Sequence, residues 1–109
     1  MFDRELLKGS TSLLVLQLLQ ERPMYGYEIV QVLGDRSAHA LNVKEGTLYP
    51  ALHKLEIQGY VESFWQQQDK GKPRKYYKLT AEGESKLGEK TKEWTQFSNL
   101  INSMLGKTT

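Results

Sequence analysis

The side chains that could do chemistry in this 109-residue sequence do not form a catalytic pattern. The two histidines, His39 and His53, are fourteen residues apart and are expected on different elements. Cysteine is absent, which excludes disulfides, thiolate metal sites and thiol catalysis. No Ser/His/Asp grouping, metal-ligand spacing or phosphate-binding glycine loop is visible. We therefore predict that the protein is not an enzyme and uses no metal or other cofactor.

The basic side chains, in contrast, concentrate in one short segment from Gln66 to Lys78. This segment carries five lysine or arginine residues and one aspartate, a net charge of +4. The other 96 residues carry 10 basic and 12 acidic side chains, so the whole chain has a formal charge of only +2. A basic loop is often only a solvated turn, but a local cluster of this kind also attracts the phosphates of nucleic acids.

Three helices are expected to position this basic segment. The first is a leucine-rich stretch that Pro23 ends, and its candidate N-cap residues are Ser10, Thr11 and Ser12. Residues 1–9 before it form either a frayed tail or a small helix that needs a partner to cover it. A second helix is expected from about Tyr25 into the mid-thirties.

The third helix is predicted from an Asn42–Glu45 capping box to a stop at Gly59. Its three leucines at i, i+4 and i+7 form a core-facing stripe, comprising Leu48, Leu52 and Leu55. Pro50 falls inside this segment, so the helix is either kinked there or starts later than the capping box suggests.

After Gly59 the pattern changes to two runs rich in β-formers, residues 60–65 and 75–79, around a polar loop with Gly71 and Pro73. These runs predict a β-hairpin. Thr80 then caps a last helix. The fold class predicted is mostly α with a small β-hairpin: a winged helix-turn-helix with a long C-terminal helix. In that fold the third helix enters the DNA major groove and the hairpin touches the flanking backbone.

The side of the third helix opposite its leucines carries side chains suited to DNA. Thr47 can bind phosphate or touch a thymine methyl, and Lys54 can pair with phosphate or guanine. Tyr49 is either a packing aromatic or a phosphate donor, and His53 is either a solvated histidine or a base contact. Pro50 belongs to a small, close-approach surface.

The last helix carries apolar residues at heptad spacing. A helix of this kind can pack on its own domain, but no later element follows to cover its stripe, which favours pairing with a second copy of the chain. The predicted dimer interface comprises Leu6, Leu87, Trp94, Phe97, Ile101 and Met104.

Three segments resemble the PadR family of bacterial transcriptional regulators: MYGYEI (residues 24–29), EGTLYPALHKLEIQGYV (45–61) and GKPRKYYKLTAEG (71–83). The resemblance covers essentially residues 10–105. It implies a homodimeric winged-helix protein, usually a repressor, that binds double-stranded DNA at a near-palindromic operator. The positions implied to contact DNA are Tyr25, Thr47, Tyr49, Pro50, His53, Lys54, Lys70, Lys72, Arg74 and Lys75.

The short C-terminus resembles the compact PadR subfamily, whose dimerisation helix is single. Some of its members bind planar aromatic or cationic drugs at the dimer interface, against a tryptophan that corresponds to Trp94 here. Trp94 is thus either an interface knob or a ligand contact. The resemblance implies an alternative function, a drug sensor with DNA release as the readout. An adaptor that binds protein instead of DNA is a further alternative, against which the basic hairpin argues.

The expected organisation is a DNA-binding domain over residues 1–79 and a dimerisation helix over residues 80–109. The sequence has no signal-peptide layout and no apolar run approaching 18 residues. We therefore expect a cytoplasmic protein that makes no membrane contact.

Overall fold

A computed structural model describes residues 2–107, so the outermost ends of the two predicted domains, residues 1, 108 and 109, lie outside it. The predicted winged helix-turn-helix with a long C-terminal helix is confirmed. Along the described residues the elements are α1 (Arg4–Glu21), β1 (Met24–Tyr25), α2 (Gly26–Arg36), α3 (Glu45–Ile57), β2 (Val61–Gln66), β3 (Arg74–Leu79) and α4 (Ala81–Met104). None of the helices within residues 2–107 has the length and apolar character needed to span a membrane.

Helix α1 begins six residues before the first of its predicted caps. Asp3 is the N-cap, and its carboxylate accepts a hydrogen bond from the Glu5 amide at 2.8 Å. The prediction that Ser10, Thr11 or Ser12 starts the helix is wrong. Instead, the Ser10 and Thr11 hydroxyls donate to carbonyls one turn back in the same helix, a bond that lets these residues sit in a helix interior. The predicted stop is confirmed, since α1 ends at Glu21, two residues before Pro23.

Helix α3 begins later than the Asn42–Glu45 capping box predicted. Its N-cap is Lys44, which makes no side-chain capping bond, so the capping box is wrong; the helix starts later than the box suggests, and Pro50 still lies inside it. The C-terminal stop is confirmed: Gly59 has φ +81°, and the Gly59 and Tyr60 amides donate to the Glu56 and Leu55 carbonyls, both at 3.0 Å. This pattern of two bonds is a Schellman motif, which needs a left-handed residue after the helix.

Strands β2 and β3 form the predicted antiparallel hairpin, with six residue pairs from Val61↔Leu79 to Gln66↔Arg74. The sequence did not reveal β1, which pairs with the other side of β3 and gives the sheet order β1-β3-β2. Because β1 is only two residues long, it has no periodicity of its own. Its position joins the start of α2 directly to the hairpin.

One hydrophobic core lies between the helices and the inner face of this sheet. It includes Val15 and Leu16 from α1 and the predicted leucine stripe of α3. The first turns of α4 close this core. The Thr80 hydroxyl accepts from the Gly83 amide at 3.0 Å and donates to the Gly59 carbonyl at 2.6 Å, so the cap also fixes the helix to the end of α3.

Gly83 allows α4 to approach the body closely, which generates a stability prediction. A Cβ at this position would collide with the Tyr60 carbonyl oxygen and lie 2.7 Å from a Leu79 methyl. We expect Gly83→Ala to lower the free energy of unfolding by about 1–3 kcal/mol, since the backbone must move to admit the methyl group. Urea unfolding followed by circular dichroism measures this change.

Gly88→Ala is the matched control, because Gly88 lies in the same helix and a methyl group added there would meet nothing within 4 Å. Gly88→Ala should leave the free energy of unfolding unchanged or raise it by up to about 1 kcal/mol, because alanine has the higher helix propensity. Equal stability of the Gly83→Ala protein and the wild type would contradict the close-approach account.

Candidate nucleic-acid interface

Helix α3 presents two faces of different character. Its leucines are buried in the core, while the residues predicted to contact DNA lie exposed on the outside. These exposed residues are Thr47, Tyr49, Pro50, His53 and Lys54. The structure therefore brings the α3 candidates together on one solvent-facing surface, as the helical spacing predicted.

Tyr49 packs on the start of α2. Its phenol ring lies so close to the Gly26 Cα that any larger residue at Gly26 would overlap it. The packing role is therefore observed, yet the side chain is still 43% exposed. Gly26 was missed in the sequence as a partner of Tyr49. A DNA contact by the remaining exposed surface of Tyr49 stays a prediction.

The inner face of the sheet contacts α3 through Tyr77 and Ser63. The Ser63 hydroxyl donates to the Glu56 carboxylate at 2.5 Å, which links β2 to α3. Tyr77 is buried, and its burial raises the pKa of the phenol, with the nearby charges of Glu56 and Tyr49 acting in the same direction. Tyr77 is therefore neutral at physiological pH and serves as a packing residue.

Tyr25 lies on the opposite, outer face of the sheet. It is half-buried at the edge of an aromatic row in which Tyr76 is its neighbour, at 5.4 Å between ring centroids, and Phe64 follows at 5.7 Å from Tyr76. The Arg74 guanidinium lies over the Tyr25 ring at 4.6 Å. Tyr25 thus holds one of the predicted DNA-binding cations in place; its own contact with DNA stays a prediction.

We call the predicted basic hairpin, residues 61–79, the wing; its base is buried against the core, and its tip, residues 69–75, is exposed. Lys70 and Lys72 lie in its loop, while Arg74 and Lys75 begin β3. None of these four side chains takes part in the ion pairs found within residues 2–107. Lys78, by contrast, pairs with Glu62 at 3.1 Å, so the uncompensated charge lies toward the tip.

Several charges of the body are paired with each other. Arg36 of α2 binds Glu21 of α1 through both guanidinium nitrogens, and Arg22 binds Glu28. The hydrogen bond from Arg36 lowers the pKa of Glu21 and raises that of Arg36. Both pairs join the end of α1 to α2, so these four charges are compensated within the body.

Most residues of the predicted dimer interface are exposed in this chain, and their contact with a second copy stays a prediction. Leu6, Trp94, Phe97, Ile101 and Met104 are exposed. Leu87 is only 4% exposed because it packs in the core of its own chain, so its assignment to the dimer interface is wrong. Heptad spacing places Leu87 on the same side of α4 as Trp94. The chain's own core covers this side of the helix at Leu87, whereas at Trp94 the same side is exposed to solvent.

Trp65 was not among the candidate residues, although it is a more exposed aromatic side chain than Tyr27 or Phe2. Trp65 is 68% exposed near the end of β2, on the face that carries Val61 and Ser63. The alternation of side chains along a strand could have placed it there.

Comparison with known proteins agrees with this architecture. The model of the "Transcriptional regulator PadR-like family" matches residues 15–89. A transcriptional regulator of Mycobacterium tuberculosis is 34% identical over 79% of this chain and 77% of its own length.

Solved structures give the same result. The structure of a transcriptional regulator from Clostridium thermocellum has a TM-score of 0.87 at 31% identity and covers 94% of this chain and 97% of its own. A PadR family transcriptional regulator from Eggerthella lenta has a TM-score of 0.78 at 40% identity, over 93% of this chain and 82% of its own. The sequence, the winged helix and these likenesses agree: the chain belongs to the PadR-like family of transcriptional regulators, which are DNA-binding proteins and not enzymes.

Proposed function

We propose that the protein is a homodimeric repressor whose α3 enters the DNA major groove while the wing binds the flanking phosphates. The observation that carries this proposal is that the hairpin with the uncompensated basic tip is joined to α3 through the Ser63–Glu56 hydrogen bond, while the outer face of α3 is exposed. A regulator of this kind acts in the cytoplasm, where its operator lies.

The exposed residues divide into two roles under this proposal. Thr47 and Lys54 contact base edges, since their hydroxyl and ammonium groups can reach donors and acceptors in the major groove. Pro50 and Gly46 add little bulk and allow α3 to approach the bases. The cations of the wing contact phosphates: Lys70, Lys72, Arg74 and Lys75. These contacts position the protein on DNA but do not distinguish one base sequence from another.

The dimer follows from the exposed apolar stripe of α4. At 100 degrees per residue, Trp94, Phe97, Ile101 and Met104 lie within about 80 degrees of one another on the helix. A second copy would cover this stripe, together with Leu6 from α1. Two copies of α3 would then reach successive major grooves, about 34 Å apart, and read a near-palindromic site.

The wing contact predicts a change in salt dependence. Lys72→Ala should weaken binding to all DNA sequences similarly and reduce the slope of log affinity against log salt by about one, because one fewer counterion is released. Lys92→Ala is the control, since Lys92 is exposed on the side of α4 away from the apolar stripe. An unchanged slope for Lys72→Ala would contradict the wing contact.

Base contacts predict a different result. Thr47→Ala and Lys54→Ala should alter the preferred sequence recovered from a randomised duplex library, because each removes a group that distinguishes bases. A uniform loss of affinity with the same preferred sequence would show that these residues contact the backbone only.

The dimer prediction concerns the apolar stripe. Ile101→Asp should raise the dimer dissociation constant at least about 100-fold, since an unpaired carboxylate would be buried at the interface. Sedimentation equilibrium measures this change. Asn99→Asp is the control: Asn99 is exposed about 160 degrees from Ile101 around the helix, so the same charge there should leave the dimer intact. Equal dissociation of both variants would contradict the proposed interface.

A second candidate function, ligand sensing, is favoured by one observation. The Trp94 indole is 47% exposed within the apolar stripe, so a planar aromatic cation could stack on it where two copies meet. Such a ligand would release DNA only if it binds more tightly to the dimer conformation that misplaces the α3 helices.

Ligand sensing predicts quenching of Trp94 emission by planar cationic dyes. A Trp65→Phe background makes Trp94 the sole tryptophan, because the sequence contains two. Dye binding should be lost in Trp94→Ala when it is followed by calorimetry. Unchanged emission across the dye titration would contradict this second function.

A further inference from the structure

Trp65 is an exposed indole on a rigid strand. It follows Val61 and Ser63 along the same face of β2, where Val61 is in the core and Ser63 binds Glu56 of α3. The indole therefore extends the inner face of the sheet beyond the core, on the side of α3. Six consecutive pairs with β3 hold this part of β2 in position.

The surroundings of Trp65 are basic. Its cross-strand partner is Lys75, and the loop that follows β2 contains Lys70 and Lys72. No aromatic or cation–π contact within residues 2–107 involves the indole. A wing that bound phosphates by charge alone would not need a large apolar side chain in this position. An exposed tryptophan commonly marks a contact surface, since it combines apolar area with one N–H donor.

The charge of the wing identifies the occupant of this surface. A second copy would bring two clusters of uncompensated lysine and arginine together, which repel each other. The DNA backbone offers the complementary combination, phosphates for the cations and the carbon face of deoxyribose for the indole. If α3 lies in a major groove as proposed, the inner face of the wing, which is on the side of α3, would face the backbone that borders this groove.

We propose that Trp65 packs against a deoxyribose of the operator backbone and that its Nε1–H donates to an adjacent phosphate oxygen. This inference rests on the proposed DNA-binding mode and adds to it an apolar, sequence-independent contact. The lysines supply a salt-dependent part of the affinity, and Trp65 supplies a part that releases no counterion.

The experiment measures anisotropy of a labelled 30-base-pair duplex of random sequence across a salt series, and again with a duplex chosen by selection. Trp65→Ala should weaken binding to both duplexes about tenfold, with the salt slope unchanged, because truncation of a buried tryptophan contact costs affinity but removes no charge. Trp65→Phe should bind with an affinity between those of the wild type and Trp65→Ala. Gln66→Ala, the next residue on the opposite face of β2, should bind within twofold of the wild type.

A second measurement does not depend on the alanine variant. In Trp94→Phe, Trp65 is the sole tryptophan; at a protein concentration where anisotropy shows this variant bound to the duplex, binding should protect the Trp65 emission from quenching by a neutral quencher, acrylamide.

Each contrary result has a distinct meaning. Wild-type affinity of Trp65→Ala, or an acrylamide-accessible indole in the complex, would overturn the Trp65 contact while leaving the proposed function standing. A salt slope reduced by one, as for Lys72→Ala, would show that the indole only positions a lysine. Dissociation of the Trp65→Ala dimer in sedimentation would assign the indole to a second copy. Failure of the wild type to bind either duplex would overturn the proposed function itself.

Discussion

The apolar contact between α3 and the base of the wing is the interaction on which the rest of the structure depends. The α3 leucines, Val61 and Tyr77 belong to one buried core, so the same burial that folds α3 also holds β2 and β3. Burial of this kind stabilises the folded state by roughly 25 cal/mol per Å² of apolar surface. Summed over the buried side chains of the core, this exceeds what the exposed ion pairs of the body contribute, about 0–1 kcal/mol each. This burial, together with the Ser63–Glu56 hydrogen bond, therefore holds the wing in a fixed position relative to α3.

Hydrogen bonds at the end of α3 and at the start of α4 fix the direction in which the chain leaves each element. The Schellman motif at Gly59 turns the chain from α3 into β2, and Thr80 joins the end of β3 to α4 while bonding back to the Gly59 carbonyl. The end of α3 and the start of α4 are thus joined directly by a hydrogen bond, in addition to the packing of both helices on α1.

The distribution of charge explains how a chain with a formal charge of only +2 can be a DNA-binding protein. Pairs such as Arg36–Glu21 neutralise charge in the body, and Lys78 is compensated by Glu62, while the four cations nearer the tip of the wing have no such partner in the described structure. Affinity for phosphates depends on this local charge, because interactions between exposed charges are screened beyond about 10 Å at 0.1 M salt. A small net charge is therefore compatible with a strong local field.

Sequence reasoning predicted the elements whose signals are local. The α3 leucines, Gly59 and Thr80 marked a helix, its end and the next cap, and all three are confirmed. Ser10 and Asn42 were wrongly predicted to cap helices. A hydroxyl or amide side chain that can cap a helix can also lie within the helix, as Ser10 does, or before its N-cap, as Asn42 does. Strand β1 and the burial of Leu87 depend on partners distant in the sequence, which no periodicity reveals. The exposure of Trp65 became visible only once the end of the core was known.

Hydroxyl-radical footprinting of the protein on a selected operator tests the central claim most directly, because it maps backbone contacts for both copies at once. A dimer that places two α3 helices and two wings on DNA predicts two protected patches, related by a dyad and about 10 base pairs apart on one side of the duplex. A single patch, or two patches without this spacing and symmetry, would contradict the account.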